Sequence, residues 1–98
     1  MLEIIIAPSA RLDLYEIWEH AVLVSEVRAT ALLSRINAQF ERIAAFPQLG
    51  RTRPEVDSDA RSILVDRYVV FYRVQPDSVE IVRVVHSRQD LDTLFGSS

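Results

Sequence analysis

The hydrophobic period of this chain changes near residue 50, and that change limits the fold more than any composition figure. Between Leu14 and Ile43, apolar residues recur at helical spacing. From Arg61 to Ser87 they sit in dense β-branched and aromatic runs separated by turn signals. A helical half followed by a strand half predicts an α+β layered fold.

The individual elements follow from local signals. Residues 2–6, LEIII, read as a short strand ended by Ala7-Pro8. Pro8 suits the first turn of a helix, with either Ala7 or Ser9 as its cap. Leu14, Ile17, Trp18 and Ala21 then fall on one stripe, and Asp13, Glu16 and Glu19 lie off it. After a break at Leu23–Ser25, Ser25 can cap a second helix, with Glu26 in its first turn. Ala29, Leu33, Ile36, Phe40 and Ile43 continue at helical spacing to about Ala45, with Arg35 and Arg42 on the outer side. So short a break predicts an antiparallel helical hairpin.

The segment 46–50, FPQLG, stops the second helix, and residues 51–59 read as a loop. Strands are expected over Arg61–Val65, Tyr68–Val74 and Val79–Ser87. The first two are joined at Asp66-Arg67 and the last two at Gln75–Ser78. Asp90–Phe95 reads as one more helical turn or a short strand. The expected order is β-α-α-β-β-β, one domain over residues 1–98, with the helical hairpin packed on one face of an antiparallel sheet and the other face partly open.

Composition excludes several functions. The chain has 98 residues and no cysteine, which rules out disulfides and cysteine-based zinc or nucleophile chemistry. His20 and His86 are far apart on different elements, so neither a metal nor a cofactor is expected. Two glycines cannot build a phosphate cradle, and no nucleophile-elbow pattern is present. No apolar window is long enough for a membrane helix. The N-terminus has no basic leader before its apolar run, so a cytoplasmic protein is expected.

The basic residues are all arginine, eleven against fourteen acids, for a net charge of −3. That balance argues against strong, sequence-independent nucleic-acid binding. Genome base composition explains arginine without lysine, and so does a need for bidentate recognition at an interface. Residues 60–88 hold five arginines against three acids, whereas residues 1–45 hold four against six, so the sheet half is the more basic. Arg73 alternates with Val69 and Phe71, and Arg83 with Val79, Ile81 and Val85. Each can snorkel from a half-buried face or serve an interface. His86 ends the last strand, where a structural role and a site role are both open. Trp18, Leu23, Val24, Val27 and Leu32 exceed what one sheet face can bury, so part of the hairpin can form a groove for a partner's helix or tail.

Four segments, in order, resemble the RelE/ParE superfamily of type II toxin–antitoxin toxins. They are PSARLDLYEIW (8–18), FPQLGRTRPE (46–55), RYVVFYRV (67–74) and RVVHSRQDL (83–91). The RelE-like branch cleaves messenger RNA on the ribosome. That chemistry needs cations for the phosphorane-like charge and an acid–base pair, for which Arg61, Arg83 and His86 would be the catalytic candidates. Members of that branch are usually basic, with lysines after the second helix and often a tyrosine near the C-terminus. Here lysine is absent and Tyr72 is the last tyrosine. The HSRQDL ending and the net acidity resemble the ParE-like branch, which poisons DNA gyrase by binding and breaks no bond.

The resemblance implies a ParD-like ribbon-helix-helix antitoxin whose C-terminal segment docks on the hairpin, giving a hetero-oligomer. Leu14, Trp18, Val22, Leu32 and Ile36 are the expected apolar contacts, with Arg51, Arg53 and Arg61 meeting acidic groups. Arg83, His86, Arg88 and residues 90–98 are the candidates for contact with gyrase.

Overall fold

The computed structural model describes residues 1–89. Strand β1 (Glu3–Ile6) leads into helices α1 (Pro8–Val22) and α2 (Glu26–Ala45). Strands β2 (Arg51–Thr52), β3 (Ala60–Val65), β4 (Tyr68–Val74) and β5 (Ser78–His86) follow. Both helices pack on one face of a five-stranded sheet of order β1-β5-β4-β3-β2.

The helix ends follow local chemistry. Ser25 caps α2, its hydroxyl accepting the Arg28 N–H at 3.2 Å. Ala7 caps α1 without a side-chain bond, because Pro8 at the first turn leaves one donor fewer to satisfy. Ser9 instead donates to the Val82 carbonyl at 2.8 Å, tying α1 to β5.

Three expectations need correction. The sheet is mixed rather than antiparallel, since β1 lies parallel to β5 while the other neighbours run antiparallel. A parallel pair needs a long crossover, which the intervening chain with its two helices supplies. The segment expected to be all loop contains β2, which pairs Arg51 with Ser62 and Thr52 with Arg61. The alternation assigned to Arg83 is broken by a bulge, because Tyr72 pairs with Ile81 and Phe71 with Arg83, leaving Val82 over. Val79 and Ile81 therefore face the helices in the core, while Arg83 shares the face of Phe71.

The core joins Ala10 and Ile17 of α1, Ile36, Phe40, Ile43 and Ala44 of α2, and Val65, Val70, Tyr72, Val79, Ile81 and Val84 of the sheet. The Leu2 N–H donates to the Ala44 carbonyl and fixes the end of α2 over β1. Leu23, Val24 and Val27, at the tip of the hairpin, remain largely exposed. The expected element at Asp90–Phe95 lies outside the described residues.

Candidate functional site

The junction of α1 with β5 is built around Asp13. β1 pairs with β5 only as far as Ile81, so the outer edge of β5 beyond that point has no strand neighbour among the described residues. Side chains of α1 take its place. Ser9 and Asp13, one helical turn apart, meet Val82 and Val84. The Val84 N–H donates to Asp13 Oδ2 at 2.9 Å. Arg83 closes the arrangement, Nε to Oδ2 at 2.7 Å and Nη2 to Oδ1 at 3.0 Å. This two-toothed pair is largely shielded from water, and the Asp13 hydrogen bond raises the Arg83 pKa above its ordinary value. Arg83 is thus held by its own chain. The aspartate in the segment 8–18 is a signal that identifies Asp13, although periodicity alone placed it on an outer face.

His86 lies at the end of the same strand. Its ring meets Tyr68 edge-on at 5.5 Å between centroids, and Nδ1 accepts the Arg88 N–H at 3.1 Å. Asp13, Glu16, His20, Tyr68, Arg83 and His86 line an open crevice of about 340 Å³ beside them. Arg88 is exposed next to it. The target candidates Arg83, His86 and Arg88 are therefore neighbours, and residues 90–98 lie outside the described residues.

A second cluster fixes the turn after α2. The Tyr72 hydroxyl donates to the Pro47 carbonyl and accepts the Gly50 N–H, both at 2.8 Å. A Cβ at Gly50 would lie 2.7 Å from that hydroxyl and 2.8 Å from the Ser62 carbonyl, so the close approach requires glycine. Arg61 donates to the Gly50 carbonyl at 2.7 Å and to the Gln48 carbonyl at 3.4 Å. Burial raises the Tyr72 pKa.

On the opposite face, Arg53 is 9% exposed. It donates to Ser62 Oγ at 2.8 Å and to Glu55 at 2.9 Å, and its guanidinium lies 5.0 Å from the centre of the Phe71 ring. Glu55 is held below the usual carboxylate range, first by a backbone hydrogen bond and then by Arg53.

These positions sort the candidates. Ile36 is fully buried, so it belongs to the core and offers no surface to an antitoxin. Arg53 and Arg61 are occupied within the fold, whereas Arg51 is exposed. Leu14 and Leu32 pack against the core with part of their surface open, and Trp18 and Val22 are partly buried. The nuclease candidates are not brought together. Arg61 lies on β3 and bonds carbonyls of the turn after α2, whereas Arg83 lies on β5, two strands away, and bonds Asp13 of α1. Among the described residues no cluster of three or more His, Asp or Glu could hold a metal, and no helix is long and apolar enough to cross a membrane.

Comparison with known proteins decides the family. The model of the ParE toxin of the type II toxin–antitoxin system parDE matches residues 4–91. The chain belongs to the ParE toxin family. It is 37% identical to Toxin ParE3 of Caulobacter vibrioides over 68 residues, 69% of this chain and 68% of that protein. It is 31% identical to Toxin ParE1 of Mycobacterium tuberculosis over 90 residues, 90% of this chain and 92% of that protein. A solved structure of the chromosomal ParDE system from P. aeruginosa shares the fold, with a TM-score of 0.74 and 21% identity over 88% of this chain and 96% of that one. The resemblance seen in the four segments thus holds across nearly the whole chain, on two helices packed against a mixed sheet.

Proposed function

We propose that this ParE-family toxin inhibits DNA gyrase by binding it, and that a ParD-like ribbon-helix-helix antitoxin neutralises it by docking on the helical hairpin. The observation that carries the binding reading is the internal use of the cations. Arg61 is spent on backbone carbonyls and Arg83 on Asp13, two strands apart in the sheet. Phosphoryl chemistry on RNA needs cations converging on one phosphate. An antitoxin partner is supported by the kinship with toxins of parDE systems and by the solved ParDE neighbour.

In this reading Arg88, His86 and the exposed part of Arg83 contribute to gyrase contact. Leu14, Trp18, Val22, Leu32 and Arg51 contribute to antitoxin contact. The test is purified gyrase acting on plasmid DNA in the presence of the chain. Cleaved or unconverted plasmid is expected to accumulate. No effect on gyrase at micromolar toxin, or turnover of RNA by the isolated chain, contradicts the proposal.

A further inference from the structure

The two ends of the sheet are finished differently. One ends on β2, two residues long, where exposed Arg51 and Thr52 leave little strand to extend. The other ends on β1, whose sequence is EIII and whose Ile5 is 41% exposed. β1 has no proline and no bulge, and its one charge stands at its first residue. An apolar edge of this kind is a template for another strand.

Backbone direction alternates along β1. The Glu3 N–H donates to the Asp77 carbonyl at 3.2 Å and the Ala7 N–H to the Ile81 carbonyl at 2.9 Å, so residues 3, 5 and 7 turn their backbone groups toward β5. Residues 2, 4 and 6 turn theirs outward. Leu2 agrees, since its N–H donates to the Ala44 carbonyl at 3.1 Å rather than to a strand. Pro8 has no N–H to offer. Ile4 and Ile6 are therefore left with outward N–H and C=O groups that meet no backbone partner among the described residues.

Those groups are complementary to themselves. A second copy turned about a two-fold axis at Ile5 sets Ile4 of each chain opposite Ile6 of the other. Each of these pairs exchanges two backbone hydrogen bonds. Sliding the register by two residues would need the Leu2 N–H, which Ala44 holds, or an N–H on Pro8, which does not exist. The charges fit the same register. Glu3 falls opposite Ala7 of the second copy, where no like charge stands. Glu80, the neighbour of Ile5 on β5, is met by Arg73 at 3.9 Å. Ile4 and Ile6 pack toward the core, so Ile5 points to the sheet face away from the helices. There it meets Ile5 of the second copy, and both lose exposed apolar surface.

We propose that β1 is a self-association edge, through which two copies of this chain join antiparallel into one continuous sheet. Residues directly opposite each other share a face, so both helical hairpins lie on the same side of the joined sheet. The proposal is independent of the gyrase and antitoxin readings. A contact of about five residues a side is small, so the dimer is a weak one, with a dissociation constant of about 10–100 μM.

The test is sedimentation of the whole chain across about 1–300 μM, where mass action moves a weak dimer through its transition. The parent should pass from monomer to dimer over that range. Ile5→Lys, at an exposed position, sets two cations against each other at the axis and should weaken association about tenfold or more. The chain has no cysteine, so Ile5→Cys places one thiol in each copy, at the axis. Directly opposed residues of a non-hydrogen-bonded antiparallel pair stand about 4.5 Å apart at Cα, within disulfide reach. Under mild oxidation Ile5→Cys should cross-link at least about tenfold faster than Leu64→Cys, whose position on β3 is 67% exposed. A monomer at every concentration overturns the proposal. So does a dimer that Ile5→Lys leaves intact while the variant melts like the parent, or cross-linking of Leu64→Cys as fast as that of Ile5→Cys. If Ile5→Lys fails to fold, the cross-linking comparison decides by itself.

Discussion

Of the arginine–aspartate pairs among the described residues, the two that tie the helices to the sheet do different work. Arg83–Asp13 joins α1 to β5 with each nitrogen on its own oxygen, and the Val84 N–H adds a third bond. Arg35–Asp66 joins α2 to the β3–β4 turn through one oxygen, in water. The first substitutes for a missing strand neighbour at a sheet edge, and losing it strands a backbone donor. The second leaves nothing unsatisfied if it opens, because solvent replaces it. One joint is tied into the backbone bonding of a sheet edge, and the other rests on an exposed ion pair.

The sharpest way to break that division is at the boundary of α2. Ile36→Ala should cost about 3–4 kcal/mol, because a fully buried branched side chain leaves a cavity. Urea denaturation checks it. A cost under about 1 kcal/mol would mean that Ile36 belongs to the exposed surface after all.

Asp13→Ala comes next. It leaves Arg83 and the Val84 N–H without their acceptor, at a cost of about 2–3 kcal/mol. Asp13→Asn, which keeps an acceptor for Val84, should lose less. Equal losses in thermal melts would show that the charge, not the edge bond, is what matters.

Tyr72→Phe should cost about 1–2 kcal/mol by leaving Gly50 N–H and the Pro47 carbonyl unpaired. It should also remove an alkaline weakness. The Tyr72 pKa is raised in the fold, so the unfolded chain gives up its phenol proton first, near pH 10. Stability from this group is complete below that pH and falls as pH rises above it. Melts at rising alkaline pH should converge for parent and variant.

The smallest effect belongs to the exposed pair. Asp66→Asn should change stability by less than about 1 kcal/mol, since the pair is exposed and asparagine tolerates the left-handed turn. A loss as large as that of Asp13→Ala would erase the distinction between the two pairs.

Much of this architecture was legible in the residues. Pro8, Ser25 and the 46–50 turn mark the helix ends through local bonding, and β-branched runs mark β3 to β5 to within one residue. What escaped were relations between distant segments. Nothing local in residues 3–6 says that they pair in parallel with 78–81. A two-residue strand such as β2 carries no period. A bulge shifts the phase of a strand without altering its composition, so Arg83 was placed beside Ile81 when it lies on the other face. The site suffered more for the same reason. Helical spacing groups Ile36 with Phe40 and Ile43 of the core, and only the resemblance sets it among the docking residues, where its burial excludes it. Arginine count could not tell Arg53 and Arg61, which bond inside the fold, from Arg28 and Arg67, which form no ion pair among the described residues.

Hydrogen–deuterium exchange of the chain, free and with the proposed ribbon-helix-helix antitoxin, tests the central claim most directly. Protection should rise along residues 28–42 and 62–68, while the Asp13–Arg83 junction, already closed, changes little. Protection confined to that junction, with 28–42 exchanging as in the free protein, would contradict the account.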